Sequence, residues 1–454
     1  MSFTYPNFER QLARLLRPFA KVEPQEAVTA LVMTFIVFLL LTAYYLLKVA
    51  REPLILTQGG AEVKSYASAG QALLLVGVVR AYSEVARRVG RMTLLATVYL
   101  FFVSNLIVFA ALARTPLHIG VAFFLWVGVF NYTAIAQFWA FAADIYSPEQ
   151  GKRLFAILGI GSSVGAVAGS YIAGALVPFG PQALMGGAAM LLVICVLLIA
   201  WVARRIGVRG ATQAAPGKES PVADESPLHL LLRDRYLLLI AALTLLLNWV
   251  NSSGEYILDR TLLASPQAHA AGVDTSHFVG AFKADYLLWV NILSVLLQLF
   301  AVSRIVGRLG VRNALLFLPG VALLGYSLVI VAPVLAAIRL VKIGENSLDY
   351  SVQNTARQAL YLVTSRVEKY VGKTTVDTLM VRLGDVFSAG VVWLGTGAGL
   401  PTAGFATISV LLIAVWIGCA FAIGAENERR AGEGEELISE EPAPRARRLE
   451  RQIL

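Results

Sequence analysis

The sequence predicts an all-α polytopic membrane protein, with twelve transmembrane helices arranged as two pseudo-symmetric six-helix bundles. Three observations carry that expectation. Of 454 residues, 57% are hydrophobic and only 15% charged, with a mean hydropathy of +0.69, too little polar surface for a water-soluble chain of this length. The apolar residues come in repeated stretches of about 20, the length a helix needs to cross hydrocarbon with its backbone satisfied internally. The basic residues gather on alternate connections, as orientation in a membrane requires.

Taken in order, the spans fall near 27–50, 66–86, 92–113, 118–144, 153–176, 182–203, 235–258, 276–302, 313–332, 334–361, 375–399 and 402–424. They divide the chain into an N-terminal segment 1–26, a first bundle 27–203, a linker 204–234, a second bundle 235–424 and a charged tail 425–454. The N-terminus carries Arg10, Arg14, Arg17 and Lys21, and its first apolar segment is too long for a cleavable signal. The even connections carry Arg87, Arg88 and Arg91, then Lys152 and Arg153, then Arg204, Arg205, Arg209 and Lys218 in the linker, then Arg304, Arg308 and Arg312, then Arg366, Lys369 and Lys373. The odd connections hold only Arg51 and Lys64, Arg114 and Arg260. Both termini are therefore expected in the cytoplasm. The net charge of +9 follows from this topology and not from a nucleic-acid surface.

Two halves are also visible as a weak repeat. Shifting the chain by 221 residues pairs Arg87 with Arg308, Arg91 with Arg312, Gly151-Lys152 with Gly372-Lys373, and Gly169 with Gly390. Parallel six-helix halves related by an axis along the membrane normal are the major facilitator arrangement. Within span five, Gly161, Gly165 and Gly169 stand four apart and make one smooth face for close approach of another backbone.

Several function classes are excluded or left without support. Two cysteines and four scattered histidines offer neither a disulfide framework nor metal-ligand spacing. There is no phosphate-binding Gly-x-x-x-x-Gly-Lys loop and no strand-to-helix turn that would make a nucleophile elbow. No cofactor is expected and no enzyme.

The informative residues are the charges inside the spans, each costing several kcal/mol in hydrocarbon unless paired or wet. Span ten carries Arg339, Lys342, Glu345, Asn346, Asp349, Gln353 and Arg357, mostly on one helical stripe. Span seven carries Asn248, Asn251, Ser252, Glu255 and Asp259; span eight carries Lys283, Asp285, Asn291 and Gln298. Span one ends in Tyr44, Tyr45, Lys48, Arg51 and Glu52, span four offers Asn131, Gln137 and Asp144, and span eleven offers Arg382 and Asp385. Lys48, Arg51, Lys283, Arg339, Lys342 and Asn346 are candidate ligands of an anion. Glu255, Asp285, Glu345, Asp349, Asp144, Arg382 and Asp385 are candidates for gates or proton carriers. Lys48, Arg51 and Asp259 have a blander reading, as side chains near span ends that snorkel to headgroups.

The run Lys48-Val49-Ala50-Arg51-Glu52, followed by Thr57, Gly60, Ala61 and Glu62, resembles the end of the first helix in the ATP/ADP translocase family, the nucleotide transporters of plastids and intracellular bacteria. Phe138-Trp139 and Asp144, followed by Gly151-Lys152-Arg153 and the glycine-rich span, are similar to that family's fourth and fifth helices. Glu368-Lys369, Gly372-Lys373 and Arg382-Leu383-Gly384 resemble its tenth-to-eleventh helix region. The resemblance implies a major facilitator fold in a bacterial inner membrane and nucleotide transport such as ATP/ADP exchange. Three positions depart from the family pattern: Lys48 and Arg51 are interchanged, Asp385 stands where a lysine is expected, and the acid early in span four is absent near Val127 and Gly128. These departures bring the chain closer to the family's free-living bacterial relatives.

The expected function is secondary transport of a nucleotide or related small organic anion by alternating access, as exchange or coupled to protons, by a monomer in the lipid bilayer. The competing expectations are a transporter-like sensor or scaffold, to which the charged tail from Glu426 would belong, and a lipid-handling membrane protein.

Overall fold

The structure is a computed structural model describing residues 10–12, 22–89, 91–206, 231–365, 368 and 372–440. All regular structure among them is helical. One helical run, Pro24–Arg88, holds the first two crossings and breaks at Gly60, whose φ of 79° only glycine adopts at little cost. The two parts are α1 (24–59) and α2 (61–88). The first half continues with α3 (Arg91–Leu112), α4 (Gly120–Ile145), α5 (Pro148–Leu176) and α6 (Pro181–Ile206). The second half comprises α7 (Arg235–Leu263), α8 (Thr275–Phe300), α9 (Val302–Val331), α10 (335–360), α11 (Lys373–Gly397) and α12 (Thr402–Glu440).

Ten helices are long and apolar enough to cross a membrane. The first of these is the α1–α2 pair. α10 falls outside the set because a π-helical turn, Asp349–Gln353, separates Leu335–Leu348 from Asn354–Leu360. The described chain thus makes twelve crossings. Large apolar side chains such as Leu73, Leu197, Leu324 and Trp393 point outward, as lipid demands.

Three boundaries differ from the sequence expectation. Residues 51–65, expected as a connection, are helical apart from Gly60, because their charges are paired in the interior; the helix accommodates Pro53 and breaks at Gly60. α9 breaks at Gly310, with a φ of 76°, inside the basic connection. α12 runs on to Glu440. Arg14, Arg17, Lys21, Arg209, Lys218, Arg366, Lys369, Arg445, Arg447 and Arg448 lie outside the described residues, as do the side chains of Arg87 and Arg91.

The glycine face of α5 packs on α1. A Cβ at Gly161 would stand 2.7 Å from Thr34 O, and one at Gly169 would stand 2.8 Å from Thr42 O; Gly165 lies against Phe38 O. Thr42 Oγ1 reaches across to Gly165 O at 3.2 Å. The equivalent pair in the second half, α11 on α7, meets at Gly384, where a Cβ would stand 2.9 Å from Trp249 N. Gly390 has open space around it, so its match to Gly169 in the repeat carries no shared packing role.

Candidate functional site

The charges of α1, α2, α7, α8 and α10 converge on one buried network. Glu52 accepts from Arg51 Nε at 3.1 Å and from Lys64 Nζ at 2.5 Å. Lys64 also reaches Asp259 at 2.6 Å, and Lys283 lies 2.5 Å from Asp259 and 3.6 Å from both Glu52 and Glu255. Lys342 donates to Glu345 at 2.9 Å and to Asn251 Oδ1 at 2.7 Å, and lies 3.8 Å from Glu255. Tyr286 donates to Glu255 at 2.9 Å, Asn346 Nδ2 to Glu255 at 3.1 Å, and Tyr326 to Glu345 at 2.9 Å. Four cations face four carboxylates, so the network is neutral. Such a cluster is retained because removing any member strands a buried charge.

A cavity of about 170 Å³ borders this network. Lys48, Arg51, Glu52, Lys64, Ser65, Ser68, Asn251, Ser252, Glu255, Asp259, Lys283, Tyr286, Asn346, Tyr350 and Asp385 line it, with Phe124 as the contribution of α4. Lys48 Nζ lies 5.3 Å from the Tyr45 ring and 5.9 Å from the Tyr350 ring. Among the described residues it makes no ion pair. Arg51 stacks on the Phe124 ring at 4.5 Å. Neither Arg51 nor Asp259 snorkels: both turn inward, Asp259 being 1% exposed.

Of the residues singled out in the sequence, Lys48, Arg51, Lys283, Asn346, Glu255 and Asp385 line the cavity. Lys342 and Glu345 stand behind its wall, bound to each other. Arg339 and Asp285 pair with one another, partly exposed, with the guanidinium over Phe282 and away from the cavity. Asp349 opens the π-helical turn without lining the cavity; the next residue, Tyr350, does. Asp385 accepts from Ser252 Oγ at 2.6 Å and from Arg382 at 3.1 Å. Asp144 is exposed at the far end of α4. The sequence reading left Glu52, Asp259 and Lys64 out of the candidate site, and hydropathy places Lys64 in a connection. Between Glu52 and Lys64 stand Pro53, Gly59 and Gly60, so the local sequence gives no signal against a connection.

Among the described residues, the polar contacts that join the halves gather at one end of the bundle. Besides the Glu52, Lys64, Asp259 and Lys283 pairs, Tyr256 donates to Glu62 at 2.9 Å. One layer further in, Tyr45 donates to Asn291 Oδ1 at 2.9 Å while Asn291 Nδ2 donates to Ser170 Oγ at 3.0 Å. At the end carrying the termini, no hydrogen bond or ion pair between the halves is present among the described residues.

A bundle of twelve crossings, closed between its halves at one end around a charged cavity, is the architecture of a secondary transporter. A family model, the Major Facilitator Superfamily, matches residues 33–344, and the chain belongs to that superfamily as a multi-pass membrane transporter. It is 23% identical over 338 residues to ADP,ATP carrier protein 1 of Chlamydia pneumoniae, a match covering 62% of each chain; the aligned part is less than two thirds of that relative. Among solved structures, a variant of the nucleoside transporter NupG superposes with a TM-score of 0.61 at 13% identity, over 87% of this chain and 99% of the other. The peptide transporter POT in complex with sulfate gives 0.61 at 13% identity, over 93% and 98%. These two show the fold.

Proposed function

We propose that the protein is a carrier that moves a small organic anion of nucleotide or nucleoside type across a bacterial inner membrane by alternating access. The observation that carries this reading is the charge state of the cavity. Every cation of the buried network has a carboxylate at ion-pair distance, and Lys48 is left over beside two tyrosine rings. An ammonium next to aromatic faces suits a cargo with an anionic group and a flat ring. The curated relative supports the nucleotide branch. The modest volume and single surplus charge favour a lightly charged cargo over a triphosphate.

In this reading residues 27–203 and 235–424 are the two rocking units of a monomer, and the basic connections place both termini in the cytoplasm. The ion network then closes the outer end. Glu255 and Asp385, facing the cavity, are the gate residues nearest the cargo.

The test is the melting temperature of the purified full chain against nucleotides, nucleosides, inorganic phosphate and organic acids. A ligand of the folded state at 100 times its Kd adds about 2.7 kcal/mol. A nucleotide or nucleoside shift that disappears in Lys48→Met and persists in Arg339→Ala is the expected result. A shift with another anion alone replaces the nucleotide branch. No shift with any anion overturns the anion-carrier reading and leaves the sensor or scaffold reading.

A further inference from the structure

Four of the buried charges close a ring across the seam between the halves. Glu52 on α1 meets Lys64 of α2 at 2.5 Å and Lys283 of α8 at 3.6 Å; Asp259 on α7 meets Lys283 at 2.5 Å and Lys64 at 2.6 Å. Acid and base alternate around the ring. Equivalent helices of the two halves supply equivalent charges, a carboxylate from α1 and α7 and an ammonium from α2 and α8. Two of the four contacts lie within a half and two cross the seam.

Parting the halves at this end breaks only the crossing contacts. Glu52 keeps Lys64, and Asp259 keeps Lys283. The remaining charges of the network are also partnered at home. Arg51 keeps Glu52, Lys342 keeps Glu345, and Glu255 keeps Lys283 and Lys342 together with its hydrogen bonds from Tyr286 and Asn346. Separation leaves one surplus cation on the first half and one surplus carboxylate on the second. These fall to Arg51 and Glu255, which line the cavity and so meet its water. Glu255 is the most exposed carboxylate of the network, with a side chain 27% accessible.

A gate that orphans a buried charge on opening stays shut until a ligand or a proton supplies the missing partner, because an unpaired charge in a low-dielectric interior is costly. This gate leaves its two surplus charges on the cavity-lining Arg51 and Glu255 and orphans none away from the cavity. Building on the carrier reading above, we propose that the empty protein switches its access state unaided, so that transport is net movement of cargo and not obligatory one-for-one exchange.

Accessibility of the cavity in the empty protein tests this directly. The full chain carrying Ser68→Cys, with Cys195→Ser and Cys419→Ser, is placed in washed membrane vesicles of the two orientations, in salt buffer without organic solute. A membrane-impermeant maleimide is then applied. Ser68 lines the cavity, so labelling from both faces is the expected result. Asp259→Asn, which removes a crossing contact at nearly constant volume, speeds labelling from the α1–α2 face by roughly tenfold. The double substitution Glu52→Lys with Lys64→Glu puts like charges across the seam and acts in the same direction. Labelling from one face in the parent but from both in either gate variant overturns the inference and keeps the carrier reading, since the empty protein is then locked by its charges. Labelling from one face in all three overturns alternating access itself, and the inference with it.

Discussion

The two ends of the bundle are held in different ways. At the terminal end each half is braced within itself. Glu26 on α1 accepts from Gln150 Nε2 at 2.7 Å and Arg153 at 3.1 Å on α5, while Asp234 before α7 accepts from Arg430 on α12 at 2.8 Å. Tyr236 donates to Asn427 at 2.7 Å in the same corner. At the opposite end contacts within each half are joined by others that cross from one half to the other. The difference teaches how a carrier of this class is put together: contacts within a half stand at both ends, whereas among the described residues the polar contacts that hold the halves in one state gather at one.

The largest expected effect comes from the sealed end. Lys283 is 2% exposed and serves Glu52, Glu255 and Asp259 together. Lys283→Met leaves three carboxylates, the buried Glu52 and Asp259 among them, short of a partner and is expected to cost about 3–5 kcal/mol. Arg339→Met removes a half-exposed pair with Asp285 and is expected to cost about 1 kcal/mol or less. Melting temperatures of the two variants in one detergent measure the contrast. Equal losses would mean that the seal is no more than a surface feature.

Next in size is the packing within the first half. Gly165 lies against the Phe38 carbonyl on α1, a backbone atom that cannot turn aside. Gly165→Ala is expected to cost about 1–3 kcal/mol by overpacking. Gly390→Ala, in open space, is expected to be neutral or to stabilise by up to about 1 kcal/mol through helix propensity. Parallel thermal melts separate the packed glycine face of α5 from Gly390, which the internal repeat pairs with Gly169 of that face.

These glycines show what a sequence yields and where it stops. The face of Gly161, Gly165 and Gly169 is readable because helical spacing fixes which side chains share a side. The partner, α1, is not readable, since nothing local records which helix approaches. The same limit governs the site. Span ten announces itself as polar, yet Arg339 and Lys342, three residues apart, go to different places. Lys342 turns inward to Asn251 and Glu345, and Arg339 turns to Asp285 and Phe282. Lys64 was hidden for a different reason. Hydropathy marks charged residues as connection, and cannot distinguish a solvated loop from a helix whose charges are neutralised by Asp259, 195 residues away. The fold follows from periodicity and loop charge, which are local; the ring of charges follows from long-range juxtaposition, which is not.

The smallest expected effect belongs to the terminal brace of the second half. Asp234 caps α7, accepting from Tyr236 N at 2.7 Å and Leu237 N at 3.2 Å while Arg430 holds its other side. Burial alone would raise its carboxyl, but the Arg430 hydrogen bond and the two backbone N–H groups outweigh that and hold it below the usual carboxylate range. A carboxylate lowered on folding contributes stability in full above its unfolded value of about 4, and loses it as pH falls through the folded value. Asp234→Ala is therefore expected to cost about 1 kcal/mol at neutral pH. The difference between parent and variant should narrow once the pH drops below about 4. Hydrogen exchange in the first turn of α7 and in α12 at the two pH values reads this locally. A gap that stays constant with pH would show that the cap acts through shape and not through its charge, and that Arg430 contributes little to the brace.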